Sequence, residues 1–161
     1  MRLLGNIEAK LDAKGRVFLP SVLRKQLQAA GEERLIMRKD IFQKCLTLYP
    51  ESVWYEQLDA LRSRLNRWNK EHQMIYRQFL AEAEMIQLDG NGRFLISKRN
   101  MQVAGISQDV RFIGMNDYIE IWSNDNSGEP FMNADDFGSA LEKIMESVEL
   151  SLIHISEPTR P

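Results

Sequence analysis

Apolar and polar residues alternate at Ile7, Ala9 and Leu11 and again at Ile86 and Leu88, the two-residue period of a strand with one buried face. Beyond each run a polar stretch containing glycine gives way to an apolar triplet, Val17-Phe18-Leu19 or Phe94-Leu95-Ile96, which predicts strand, tight turn and strand in both places. A short helix should follow each pair. Pro20 suits a first helical turn ahead of Val22, Leu23 and Leu27, with Gly31 as its stop; Ser97 can cap a helix carrying Met101 and Ala104, with Gly105 at its end. Two more strands then close each half: Leu35 to Met37 and Cys45 to Tyr49 in the first, Val110 to Ile113 and Tyr118 to Trp122 in the second. The order strand, strand, helix, strand, strand therefore occurs twice.

Between the halves, Trp54, Leu58, Leu61, Leu65 and Trp68 recur at alternating spacings of four and three, which predicts one long helix over roughly 51–83 with an apolar stripe. That stripe can serve as intrachain core or as a subunit contact. A last helix near 134–148 carries Phe137, Leu141, Ile144 and Val148 on a similar face.

The halves are copies at the level of residues. Shifted by 77 positions, the run from Asp12 to Leu19 aligns without a gap on that from Asp89 to Ile96, so that Asp12, Gly15 and Arg16 coincide with Asp89, Gly92 and Arg93. Gly15 and Gly92 can take the positive φ that such a turn often needs, and Asp12 and Asp89 can hydrogen-bond its backbone. The chain divides into a first repeat over 1–50, a helical linker over 51–83, a second repeat over 84–123, a helical segment over 124–150 and a tail over 151–161. The tail, SLIHISEPTRP, resembles a translated cloning scar, a disordered tail being the alternative, and is expected to lie outside the fold.

Composition changes this picture little. The 161 residues are 43% hydrophobic and 27% charged, ordinary globular usage, with no apolar run near the ~20 residues that span a bilayer and no signal-peptide stretch at the start. A cytoplasmic protein is expected. Cys45 is the one cysteine, which excludes an intrachain disulfide and a thiolate cluster for zinc; a small buried side chain is its simplest role.

Charge matters more, because it is uneven. The net charge is −2, yet residues 1–30 carry a balance of +4 and residues 124–161 one of −6. Solution charges act through local potential, screened beyond about 10 Å, so a basic front can meet phosphate on an acidic chain. Arg16 is the best candidate to read a base, since its planar fork matches guanine or a phosphate; Lys14 and Arg2 fit phosphate contacts, and Arg24 with Lys25 can extend the patch. Arg93 repeats Arg16, but Asn91 stands where the first copy has Lys14, so the second copy is expected to hold phosphate less well. An enzyme is disfavoured. His72 and His154 have no nucleophile or metal-ligand motif near them, Gly90 and Gly92 do not continue into a phosphate loop, and no cofactor or metal is implied.

Asp-x-x-x-Arg twice between short strands, with Leu48-Tyr49-Pro50 followed by Trp54 and a helical bridge, closely resembles the MraZ family of bacterial regulators over residues 1–150. The resemblance implies an α+β, mainly β fold: a swapped-hairpin, AbrB-like β-barrel formed by two internal repeats, with a long linking helix and a C-terminal helix. It also implies a ring-shaped homo-oligomer that binds double-stranded DNA at direct repeats upstream of the division and cell-wall gene cluster, as a repressor on the nucleoid. The family's paired motifs fall on Asp12 with Arg16 and on Asp89 with Arg93. An AbrB-like antitoxin that also binds a protein is the alternative, although such modules are shorter and carry one copy.

Overall fold

The computed structural model describes residues 1–125 and 130–156, with the side chains of the last helix described as far as residue 147. Two compact units result, Met1–Asp125 and Asn126–Pro161.

In the first unit the order is β1 (Asn6–Lys10), β2 (Arg16–Phe18), α1 (Ser21–Ala29), β3 (Leu35–Lys39), β4 (Leu46–Pro50), α2 (Glu51–Ser63), α3 (Lys70–Ala81), β5 (Glu84–Ile86), β6 (Arg93–Leu95), α4 (Lys98–Ala104), β7 (Asp109–Gly114) and β8 (Ile119–Ser123). The predicted caps form. Pro20 precedes α1, which buries Leu23 and Leu27, and Gly31 follows it at φ 74°. The Ser97 side chain accepts from the Asn100 amide at 3.2 Å, and Gly105 closes α4 in the left-handed region at φ 66°.

Strand pairing crosses between the copies. A six-stranded antiparallel sheet has the order β1-β7-β8-β4-β3-β5, and a separate two-stranded ribbon pairs β2 with β6. The strands flanking each Asp turn thus pair with the opposite copy: β1 with β7, β5 with β3, β2 with β6. Val17 lies opposite Phe94, its own counterpart at the repeat offset, so a pseudo-two-fold axis passes through the ribbon. The strands form these two sheets among the described residues, not one continuous hydrogen-bonded barrel.

Alternation along the strands divides the sheet's faces. Leu35, Met37, Leu46, Leu48, Val110, Phe112, Ile119 and Ile121 pack in one core with Val17 and Phe94 of the ribbon and Leu23 and Leu27 of α1. The opposite face carries Arg38 and Tyr49, and there the linking helices dock. Trp54 stacks on Phe79 at 5.1 Å and 3°, Tyr49 lies 5.8 Å from Trp54, and Tyr118 stacks on Tyr49 at 5.3 Å. Arg38, 4% exposed, sits over the Phe79 ring at 4.6 Å, donates to the Phe79 carbonyl at 2.8 Å and pairs with Glu82 at 3.0 Å. Burial also pushes the Cys45 thiol up, as expected of an inert buried side chain.

The linker departs from the single helix that its spacing predicts. It is two helices with a turn at 64–69, because asparagine side chains there compete with helical hydrogen bonds. Asn66 accepts from the Trp68 amide at 3.0 Å, its own amide donates to His72 Nδ1 at 2.8 Å, and Asn69 caps α3 by accepting from the His72 amide at 3.1 Å. The stripe is cut accordingly: Trp54 and Leu58 are buried, Leu61 and Leu65 half-buried, and Trp68 is 92% exposed.

In the second unit α5 runs Ala134–Ser156, longer than the stripe predicts and into the segment expected to lie outside the fold. Asn133 starts it, accepting from the Asp136 amide at 2.9 Å. Phe137, Leu141 and Ile144 are exposed; the side chain of Val148 and residues 157–161 lie outside the described residues. No helix among the described residues is long and apolar enough to cross a membrane.

Candidate nucleic-acid interface

The two Asp turns are built alike. In the first, Asp12 Oδ1 accepts from the Lys14 and Arg16 amides, both at 2.9 Å, while Oδ2 accepts from Arg16 Nε at 2.8 Å. In the second, Asp89 Oδ1 accepts from the Asn91 and Arg93 amides at 2.9 Å, and Oδ2 from Arg93 Nε at 3.0 Å. Gly15 and Gly92 stand at φ 84° and 82°, and their amides donate to the Asp12 and Asp89 carbonyls at 3.0 Å. The hydrogen bond from the amide of residue 16 or 93 is the largest cause that holds each aspartate below the usual carboxylate range; the Arg16 guanidinium comes next for Asp12, and the Asn91 amide, ahead of the Arg93 guanidinium, for Asp89. A carboxylate with a depressed pKa stabilises the fold above its ordinary titration range and loses that contribution only as pH falls through the depressed value, so the turns are expected to stay ionised throughout the neutral range.

Each aspartate therefore aims its arginine. Nε is held, while Nη1 and Nη2 have no protein partner among the described residues. Arg16 and Arg93 lie diagonally across the ribbon, Arg16 opposite Leu95 and Phe18 opposite Arg93, a spacing of about 7 to 8 Å between backbones. Between them lie two apolar side chains in water, Phe18 at 55% exposure and Leu95 at 54%, with the Arg93 guanidinium 5.7 Å from the Phe18 ring. The sequence shows both only as members of apolar triplets; alternation around Val17 and Phe94 is the signal that sends them outward.

The copies also brace each other. Leu19 donates its amide to the Gly92 carbonyl and Ile96 to that of Gly15, both at 2.9 Å. A Cβ on Gly92 would collide with Arg24 Nη1 and lie 3.2 Å from its Cζ, so Arg24 of α1 rests on the second turn, whereas Met101 of α4 approaches the first. Arg24 thus brings a cation to the second turn, where Asn91 stands at the position of Lys14 in the first. Lys14 is exposed on the first turn. Arg2 stands apart, at the far end of β1, where Leu3 bridges Asn116.

Gly15→Ala should destabilise the protein more than Gly92→Ala. Both put an L side chain in the left-handed region, at about 1–2 kcal/mol. At Gly15 the new Cβ would also lie 2.9 Å from the backbone Ile96 carbonyl, while at Gly92 it meets only the movable end of Arg24. Urea denaturation of both variants checks the order, and equal losses would refute it.

The fold and this site define a class: an α+β protein of two interlocked copies that presents paired, carboxylate-aimed arginines on a pseudo-two-fold ribbon. A family profile described as "MraZ protein, putative antitoxin-like" matches residues 3–78 and 79–127, one segment per copy. The transcriptional regulator MraZ of Phocaeicola vulgatus is 64% identical over 145 residues, covering 90% of this chain and 94% of that protein. That of Bacteroides thetaiotaomicron is 61% identical over 145 residues, covering 90% and 93%, and that of Christiangramia forsetii 34% over 146, covering 90% and 94%. The chain belongs to the MraZ family.

Proposed function

We propose that this protein is a sequence-specific DNA-binding transcriptional regulator whose reading surface is the β2–β6 ribbon with its two Asp turns. One observation carries the proposal: two arginines related by a pseudo-two-fold axis, each fixed at Nε and open at Nη1 and Nη2. A two-stranded ribbon fits the major groove, where an arginine fork matches guanine O6 and N7. Arg16 and Arg93 read bases, Lys14 and Arg24 hold phosphates at the two turns, and Arg2 makes a peripheral phosphate contact. Swapped pairing of the two hairpins, in the AbrB manner, keeps both turns on one side of the core. The protein acts by binding, without a cofactor, on the nucleoid in the cytoplasm, as a repressor of the division and cell-wall gene cluster. The exposed apolar face of α5 supports assembly into a homo-oligomeric ring that meets direct repeats.

The proposal is tested by gel shift against DNA from upstream of the protein's own gene, with unrelated DNA as competitor. Equal affinity for the two would leave a nonspecific binder. Phe18 and Leu95 add a finer prediction, since apolar side chains between base-reading arginines suit thymine methyl groups. Replacing thymine by uracil in the site should weaken binding of the wild type and leave Phe18→Ala/Leu95→Ala unaffected; equal sensitivity of both proteins would rule out methyl contacts.

A further inference from the structure

A second concentration of basic charge lies at the turn between α2 and α3. From Arg62 to Arg77 the chain has five basic residues, Arg62, Arg64, Arg67, Lys70 and Arg77, against one acid, Glu71. None of the five forms an ion pair among the described residues. Arg62, in the last turn of α2, complements the helix dipole there. That role does not extend to Arg67 or Arg77. Together with Arg62 they line a cleft of about 630 Å³ whose remaining wall includes His72, Leu65 and Tyr76, and no carboxylate among the described residues borders it.

The frame that holds these groups is tied. The Asn66 amide donates to His72 Nδ1 at 2.8 Å, and Gln73 Nε2 donates to the Arg67 carbonyl at 2.7 Å. Because Nδ1 accepts, the neutral His72 ring carries its proton on Nε2 as a further donor. Like charges crowded into a concave wall repel each other and focus positive potential, which an anion relieves. Guanidinium forks match phosphate oxygens in pairs. Leu65 and Tyr76 add an apolar wall that a phosphate alone would leave unused, and the volume falls within the roughly 300–1,000 Å³ of small-molecule sites.

The cleft is also remote from DNA on the ribbon. Leu35 and Met37 of β3 face the core with Val17 and Phe94, whereas Arg38 turns to the other face and holds α3 through the Phe79 carbonyl. The sheet therefore stands between ribbon and linker helices.

We propose that the cleft between α2 and α3 is a binding site for a nucleoside polyphosphate, its phosphates held by Arg62, Arg67 and Arg77 and its base set against Tyr76 and Leu65. This site is independent of the ribbon and of the DNA-binding reading. Isothermal titration calorimetry of the full chain tests it with ATP as probe and with inorganic tripolyphosphate, adenosine and a short single-stranded oligonucleotide as comparison arms. ATP should bind one per chain, more tightly than tripolyphosphate or adenosine. Arg62→Ala/Arg77→Ala should weaken ATP by about tenfold per arginine, or about 1.4 kcal/mol each. Its circular dichroism and its shift of promoter DNA should be unchanged. All three arginines are exposed, and Arg67→Gln provides a second variant should the double one lose its fold. No heat with ATP, or unchanged affinity in the variants, would overturn the site. Tripolyphosphate binding as tightly as ATP would overturn the nucleoside part, and an oligonucleotide that displaces ATP at lower concentration would reassign the cleft to nucleic acid.

Discussion

Arg16→Ala in every subunit should abolish sequence-specific DNA binding while the fold and any assembly persist. The separation is clean because Asp12 Oδ1 binds the backbone amides of residues 14 and 16, which alanine retains. Only the aimed fork is lost. A bidentate base contact is worth about 1 to 3 kcal/mol. That loss multiplies, since a small basic patch alone has affinities near about 10⁻⁴ to 10⁻⁶ M, and linkage in a ring adds roughly 10² to 10⁴ when repeats match subunit spacing. Arg93→Ala should weaken binding less, because the Arg93 side chain is less exposed than that of Arg16, at 25% against 36%, and leans on the Phe18 ring; removing Arg24 as well, the cation at the second turn, should deepen the loss. Titration of DNA carrying one to four repeats at two salt concentrations measures both effects, with log affinity falling against log salt by roughly 0.9 per phosphate neutralised. Specific binding by the Arg16→Ala protein, or wild-type affinity flat in repeat number, would contradict the scheme.

Trp54→Ala should cost about 3–5 kcal/mol, the usual loss for truncating a buried large aromatic. Trp54 is 3% exposed and sits in the middle of the stack, between Tyr49 and Phe79, so its removal opens a cavity and frees α3 from α2. Arg38 does not compensate, because its place depends on the Phe79 ring and carbonyl. Urea denaturation should show the loss. DNA binding per folded molecule should be unchanged, since the ribbon lies on the other side of the sheet. A loss below about 1 kcal/mol would mean that the helices dock without the stack, a surface contact in place of a core one.

The sequence by itself determined whatever is settled within a few residues. Two Asp turns with glycine at positive φ, the capped helices α1 and α4 and the pairing of Asp12 with Arg16 and of Asp89 with Arg93 all follow from local sterics and hydrogen bonds at spacings of four or fewer, and the repeat at an offset of 77 doubles the order of elements. Even the break at 64–69 was present in Asn66 and Asn69, though apolar spacing alone hides it. Strand partners were not legible: nothing in Val17-Phe18-Leu19 says that β2 pairs with β6 and not with β1, because local alternation fits either edge and the choice is made by which pairing buries both copies around one core. Three features of the site follow from that choice alone. Interlocking carries Arg24 across to Gly92, sets Phe18 and Leu95 between the two arginines, and leaves the arginines of the linker turn on the far side of the sheet. Each depends on contacts between residues distant in the chain, which only the closing of the core brings together.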